Sequence, residues 1–136
     1  MRLEMNRKTY LAIEAIWALE DAGERVQGAQ LAETIGTSSA FIAQIMNPLV
    51  RAGWVDSVTG RGGGYTMAVE PDRISLLELV EEVEGPIDDR CALRGGECSL
   101  VDSCAVHEAW TKARLLLIEE LGSSSVASVP RAGVSV

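Results

Sequence analysis

Three cysteines and the only histidine of the chain lie close together in the second half of the sequence. They are Cys91, Cys98, Cys104 and His107, spaced C-x6-C-x5-C-x2-H. Thiolates are the usual ligands of iron–sulfur clusters, and histidine can replace cysteine on an iron. Zinc sites usually have tighter cysteine pairs, so the wide gaps favour a multi-iron cluster, with zinc or free thiols as alternatives. We call these four residues the donor set.

The sequence around the donor set predicts a loop followed by a long helix. Gly85-Pro86 ends the preceding helix, and the paired glycines of the loop let its backbone wrap a bulky ligand. A helix over 103–121 places Cys104 and His107 on one face, because residues three apart on a helix are neighbours. The loop over 85–102 is therefore the expected ligand-binding segment.

Residues 1–84 predict a separate unit, a helix-turn-helix with a wing. The expected elements are helices over about 7–22, 29–35 and 39–52 and strands over Trp54–Val58 and Tyr65–Val69. Gly36 lies in the turn between the second and third helices, and a glycine-rich tip with Arg61 joins the strands. This order of elements is typical of winged-helix DNA-binding domains.

The outer face of the third predicted helix is small and polar, which suits a helix that approaches base edges. Gln44 and Asn47 can pair with adenine, and serines can contact bases or phosphates. Arg61 at the wing tip suits the negative potential of a narrow minor groove. Pro48 lies inside this helix and is expected to kink it. The predicted DNA-contact set comprises Ser38, Ser39, Gln44, Asn47, Arg51 and Arg61.

The charge is unevenly distributed along the chain. The formal net charge is −8 at pH 7. Residues 1–69 contain six basic and seven acidic side chains, whereas residues 70–136 contain six and thirteen. Affinity for DNA must therefore come from a few well-positioned cationic side chains and not from a broadly basic surface.

Other classes of protein fit the sequence poorly. No apolar run approaches the roughly 20 residues that cross a bilayer, and the N-terminus lacks the apolar core of a signal peptide. We therefore expect a cytoplasmic protein without a membrane partner. With one histidine and no convincing nucleophile–base pair, an enzyme that depends on a thiol or a metal is only a remote alternative.

The chain resembles the IscR/NsrR-type winged-helix regulators, which are bacterial homodimers that carry iron–sulfur clusters. The resemblance covers about residues 1–121. Its motifs are the Leu31-Ala32-Glu33 to Gly36 turn, Gln44 to Leu49, Arg51-Ala52-Gly53, the wing Gly60-Arg61-Gly62-Gly63-Gly64-Tyr65, and the cysteines. It implies that the donor set holds a [2Fe–2S] cluster, as in the IscR branch. The four-iron NsrR branch uses an N-terminal carboxylate of the partner subunit, and Asn6-Arg7-Lys8-Thr9 offers none, so [2Fe–2S] is favoured over [4Fe–4S].

These expectations define one fold and one function. The fold is mostly α with a small β-hairpin, a winged helix-turn-helix plus a long C-terminal dimerisation helix. The expected units are a DNA-binding domain (1–84), a cluster-binding loop (85–102), a dimerisation helix (103–121) and a disordered tail (122–136). The expected function is a homodimeric regulator whose affinity for a double-stranded DNA operator follows its cluster. The alternative is a regulator of the same fold that senses through zinc or bare thiols.

Overall fold

The structure, a computed structural model, describes residues 1–98 and 103–131. Its elements in chain order are α1 (Arg7–Ala22), α2 (Gly28–Ile35), α3 (Ser39–Arg51), β1 (Val55–Val58), β2 (Gly64–Met67), α4 (Leu76–Glu84) and α5 (Ala105–Gly122). Two short 3₁₀ turns lie at Pro71–Arg73 and Val126–Ser128. The fold is mostly helical with one hairpin, as the sequence predicted.

Local side chains determine where the helices begin and end. The Asn6 side chain accepts a hydrogen bond from the backbone N–H of Thr9 at 3.1 Å and caps α1. Gly23 ends that helix with a φ of 63°, a left-handed conformation that glycine adopts without steric cost. Ser75 caps α4 by accepting from the backbone N–H of Glu78 at 3.0 Å.

The hairpin is antiparallel and runs in register from Val55 opposite Met67 to Val58 opposite Gly64. Both strands are slightly shorter than predicted, and the Ala68 N–H still donates to the Trp54 carbonyl at 2.9 Å beyond their ends. Val26, in the α1–α2 connection, forms an isolated antiparallel bridge with Tyr65. The connection therefore adds a one-residue third strand to the hairpin, next to Tyr65, which the sequence did not predict.

A single hydrophobic core joins the first four helices to the hairpin. Ile16, Leu31, Ile45 and Leu49 are fully buried within it, and Val55 of β1 packs into the same cluster. Burial of large aliphatic side chains is the main driving force for this packing. The helix-turn-helix and the wing therefore pack together with α4 around one core.

The segment after α5 is folded onto this core. The Leu76 N–H donates to the Ser124 carbonyl at 2.9 Å, and the Val126 N–H donates to the Ile74 carbonyl at 2.9 Å. Val126 has 0% of its surface exposed and belongs to the core cluster. The Arg131 guanidinium pairs with Glu20 and Asp21 of α1.

The expectation of a disordered tail over 122–136 is therefore wrong for residues 122–131. Gly122 is the last residue of α5, and the following residues form backbone pairs with the start of α4. A segment with few large apolar side chains has little burial to offset the entropic cost of order, but here one buried valine and paired backbone groups offset it. Residues 132–136 lie outside the described part of the chain.

Helix α5 begins at Ala105, two residues later than predicted, and it packs against α4. None of its residues is fully buried, although many are apolar. Within the described ranges, no helix is both long enough and apolar enough to span a membrane.

Candidate functional site

The α2–α3 turn sets the position of the predicted reading helix. Gly36 adopts a φ of 77°, and the Thr37 N–H donates to the Ala32 carbonyl at 2.9 Å. Such a closure ends a helix and redirects the chain. The Ser38 side chain then accepts from the backbone N–H of Phe41 at 3.2 Å and caps α3.

Helix α3 divides its residues between the core and the surface. Its inner side is buried through Ile42, Ile45, Met46 and Leu49, as the apolar spacing predicted. The members of the DNA-contact set on this helix are all exposed: Ser39, Gln44, Asn47 and Arg51. Ser38 is also exposed, but its oxygen serves as the helix cap. The structure therefore leaves these side chains exposed along α3, from its N-cap to its last turn.

Pro48 does not end α3. It is buried, and helical hydrogen bonding resumes beyond it, because the Ala52 N–H donates to the Pro48 carbonyl at 3.0 Å. Its missing N–H costs one intrahelical hydrogen bond, although its ring is buried. Arg51 follows in the last turn of the same helix.

Arg51 faces both solvent and α4. Its Nε atom lies 3.7 Å from an oxygen of Glu82, and the two side chains are 67% and 37% exposed. A salt bridge this exposed contributes little free energy. A DNA phosphate can therefore compete with Glu82 for Arg51 at small cost.

The wing presents Arg61 at its tip. The Gly63 N–H donates to the Gly60 carbonyl at 3.0 Å and closes a four-residue turn around Arg61 and Gly62. Gly62 has a φ of 74°, which a type II turn requires at its third residue. Arg61 is exposed, and a second arginine, Arg25, donates from outside the hairpin to the Gly62 carbonyl. Nothing in the local sequence around Arg25 predicts that contact.

Cys91 lies in a compact turn at the start of the donor set. Its N–H donates to the Gly96 carbonyl and its carbonyl accepts from the Gly95 N–H, both at 2.8 Å. The Arg94 N–H points at Cys91 Sγ at 3.4 Å. Hydrogen bonds from the backbone N–H groups of Arg94 and Leu93 lower the pKa of the Cys91 thiol below its ordinary value, with a smaller contribution from Cys98. This environment favours a thiolate, the form that binds metals.

Two other donors, Cys104 and His107, belong to α5 and its N-cap. Cys104 is the N-cap residue of that helix and makes no side-chain capping bond. His107 Nε2 lies 3.3 Å from Thr111 Oγ1, and both residues are partly buried. All three cysteines are free thiols of intermediate exposure.

The donor chemistry suits an iron–sulfur cluster, but the four side chains are not gathered into one cage. Over residues 1–98 and 103–131, no group of three or more His, Cys, Asp or Glu side chains is placed to hold a metal ion. Residues 99–102, between Cys98 and Cys104, lie outside the described part of the chain. The ligand assignment therefore stays a prediction.

A polar link joins α1 to the end of α4, next to the loop with the donor set. Thr9 is fully buried, and its hydroxyl donates to the Glu84 carboxylate. The Asn6 N–H donates to the same carboxylate at 3.1 Å. A carboxylate at this end of α1 also interacts favourably with the helix dipole. The last residue of α4 is thus hydrogen-bonded to the start of α1 in the helix-turn-helix unit.

The helix-turn-helix, its wing and the outer side of α3 define a winged-helix DNA-binding protein. The chain belongs to the Rrf2 family, described as "Iron-dependent Transcriptional regulator", whose model matches residues 5–132. Protein aau3 of Rhizobium meliloti (strain 1021) is 29% identical over 133 residues, which cover 96% of this chain and 86% of that protein. The HTH-type transcriptional regulator IscR of Escherichia coli (strain K12 / DH10B) is 33% identical over 94 residues, which cover 68% of this chain and 57% of IscR.

Solved structures support the same assignment. CymR (YrzC), the global cysteine regulator of B. subtilis, superposes with a TM-score of 0.71 at 26% identity, covering 93% of this chain and 95% of CymR. T. potens IscR superposes with a TM-score of 0.66 at 26% identity, covering 92% of this chain and 84% of that chain. The predicted fold and the family resemblance are confirmed. The chain is a DNA-binding transcription regulator and not an enzyme.

Proposed function

We propose that the chain is a cytoplasmic, homodimeric regulator whose affinity for a double-stranded DNA operator is controlled by an iron–sulfur cluster, [2Fe–2S] in preference to [4Fe–4S]. The donor set would hold the cluster. The observation that carries this proposal is the position of those donors along the chain. They follow α4, which packs against α1 and α3, and they extend into the first turn of the exposed helix α5. When bound, the cluster would supply a centre that reacts with oxidants and nitric oxide.

The proposed dimer rests on the surface of α5. Leu115, Leu116 and Leu117 are 62%, 58% and 50% exposed, and Trp110 on the same helix is 36% exposed. Several large apolar side chains exposed on one helix are typical of a protein interface. A second copy of the chain would cover it through a two-fold contact in which the same surface is used twice.

In a dimer, a modest number of DNA contacts per subunit would be enough for recognition of the operator. Two α3 helices related by a two-fold axis would enter the major groove about one DNA turn apart, roughly 34 Å, on a near-palindromic operator. Each copy would contribute Arg51 and Arg61 to phosphates and the minor groove. This doubling matters because residues 1–69, with six basic and seven acidic side chains, carry a net charge of −1.

Two contacts offer a route from the donor set to the DNA. The loop that contains Cys91 begins after Glu84, whose carboxylate accepts from Thr9 and the start of α1. Two residues earlier, Glu82 pairs with Arg51 on α3. A change in the loop that moves the end of α4 would alter both contacts, and with them the position of α3 in each half of the dimer.

The cluster is tested by anaerobic purification of the full chain, followed by an absorption spectrum and iron and sulfide analysis. We expect a coloured protein that contains two irons and two sulfides per chain. The Cys104→Ser variant should lose the colour, the iron and the sulfide. The control Ser103→Ala changes the adjacent, exposed residue and should keep the colour. A colourless wild-type protein without iron, even after reconstitution, would eliminate the cluster and leave the DNA-binding function standing.

A thiol sensor without iron is the second candidate, and the lowered pKa of Cys91 beside Cys98 favours it. Two of the solved relatives are the global cysteine regulator CymR and an oxidised form of Staphylococcus aureus CymR, the latter 20% identical. Here, hydrogen peroxide would take two electrons and two protons from the two thiols, giving a disulfide and two waters. Iron-free protein whose operator affinity changes with peroxide and returns with dithiothreitol would support this candidate, and zinc analysis of the same sample would test a zinc-bound form.

A further inference from the structure

Arg25 connects the α1–α2 segment to the wing. Its Nη1 atom donates a hydrogen bond to the carbonyl of Gly62 at 3.2 Å. That carbonyl belongs to the residue directly after Arg61, in the middle of the exposed turn. The contact spans 37 positions in sequence, so it restrains the turn from outside the hairpin.

The backbone beside Arg25 is packed against the same part of the wing. The Val26 N–H donates to the Tyr65 carbonyl at 2.9 Å, and the Tyr65 N–H donates back to the Val26 carbonyl at 2.8 Å. A Cβ atom at Gly64 would lie 2.3 Å from the Val26 carbonyl oxygen and 3.0 Å from Cγ of Arg25. Glycine at this position therefore allows the segment and the strand to approach closely.

The wing needs such an external restraint. Its strands are four residues each, and an isolated two-stranded hairpin is at best marginally stable in water. The Gly62 peptide lies in a run of three glycines, which lose the most conformational freedom on ordering. If the turn became ordered only when DNA bound, the entropic cost of ordering it would make the binding free energy less favourable.

We propose that Arg25 is a positioning residue for DNA binding, which holds the wing turn so that Arg61 is presented to the groove. The proposal rests on the proposed role of the wing in binding DNA. In this proposal Arg25 acts through Arg61, by the hydrogen bond from its Nη1 atom to the Gly62 carbonyl, and not through a phosphate contact of its own. A positioning role and a direct phosphate contact give different results in a double-mutant cycle of Arg25 with Arg61.

The test uses the full-length protein and an operator duplex that it has selected from a random-sequence pool. Arg25→Met keeps the apolar stem against Gly64 but removes the donor, and Arg25→Lys keeps one donor. Loss of one charged hydrogen bond should weaken operator binding about three- to tenfold in Arg25→Met and less than about twofold in Arg25→Lys. In an Arg61→Ala background, Arg25→Met should cause no further loss.

Hydrogen exchange of the free protein supplies an independent readout. Amides of residues 59–64 should exchange faster in Arg25→Met than in the wild type, and Arg25→Lys should restore the protection. A residue that contacted only DNA would not alter exchange in the free protein. Arg73→Met is the matched control, because it removes an exposed arginine from the 3₁₀ turn Pro71–Arg73, and it should leave exchange in the wing unchanged.

Equal losses of affinity for Arg25→Met with and without Arg61 would overturn the positioning role in favour of a direct contact. Unchanged affinity and exchange in Arg25→Met would also overturn it, provided that Arg61→Ala weakens binding. Failure of the proposed function has a different signature, in which the wild-type protein selects no duplex or Arg61→Ala binds as tightly as the wild type.

Discussion

At the scale of single residues, the predicted contacts with DNA fall into two kinds. Gln44 is an exposed amide on the reading side of α3, and an amide can bond to two adjacent groups of an adenine edge. Arg61 is an exposed cation at the wing tip and suits phosphates or the shape of the minor groove. The first kind carries sequence information directly, whereas the second contributes affinity across many sequences.

Gln44→Ala and Arg61→Ala should therefore have different effects on binding. Gln44→Ala should reduce the preference for the selected operator over a single-base variant by about 1–3 kcal/mol. Arg61→Ala should weaken binding to both duplexes and lower the salt dependence of binding by roughly one counterion. Fluorescence anisotropy titrations at several salt concentrations measure both quantities.

Gln30→Ala is the control for Gln44→Ala, since Gln30 is an exposed glutamine on α2. It should change neither affinity nor specificity. Equal effects of Gln44→Ala on all duplexes would contradict a base contact by Gln44.

At the scale of elements, the wing depends on its packing against the α1–α2 connection. Val26 and Tyr65 exchange two backbone hydrogen bonds, and Gly64 has a φ of 144° at the point of closest approach. Few side chains tolerate that conformation, and the adjacent Val26 carbonyl leaves no room for one. The glycines of the wing therefore serve the protein's own packing as well as access to DNA.

Gly64→Ala should destabilise the protein by about 1–3 kcal/mol, since the new Cβ must displace the Val26 backbone and adopt a strained φ. Urea unfolding followed by circular dichroism measures the change. Gly122→Ala is the control, because its Cβ would meet only Leu77 Cδ2, at 3.5 Å. Its stability should stay the same or rise slightly, as alanine is favoured over glycine in helices. A Gly64→Ala variant as stable as the wild type would show that the connection can move aside.

At the scale of the whole molecule, the C-terminal segment is part of the fold. Residues 123–131 pair with the start of α4, place Val126 in the core and tie Arg131 to α1. The segment therefore connects the end of the proposed dimerisation helix to the DNA-reading half. It gives α5 a second attachment in addition to its packing on α4.

Val126→Ala should lower the free energy of unfolding by about 2 kcal/mol, from lost burial of two carbon atoms and the cavity that remains. Val58→Ala is the matched control, since it makes the same change at a side chain that is 44% exposed, and it should cost much less. Both values come from urea denaturation of the full chain. Equal, small losses at the two positions would contradict a structural role for the C-terminal segment.

Much of the fold could be predicted because its signals are local. Asn6, Ser38 and Ser75 cap helices as their residue types suggest, and Gly23 and Gly36 end helices as expected. The apolar spacing of α3 correctly separated its buried side from its exposed side. The donor set was identified by residue type alone, and its assembly around a ligand stays a prediction.

Other features depended on residues far apart in the chain. The Arg25–Gly62 bond spans 37 positions and the Thr9–Glu84 bond spans 75, and neither partner has a local signature. The C-terminal segment was expected to be disordered from its composition, yet Val126 fills a core position that α4 and its neighbours create.

The sequence by itself therefore determined the helices, the hairpin, the exposed DNA-contact set and the kinds of donor available for a ligand. These follow from periodicity, capping and turn chemistry, which act over a few residues. Only the tertiary structure decided what holds the wing, what ties α4 to α1, and where the C-terminal segment lies. Those contacts depend on which surfaces meet after the chain has folded, and the free energy of each comes from burial and pairing between distant residues.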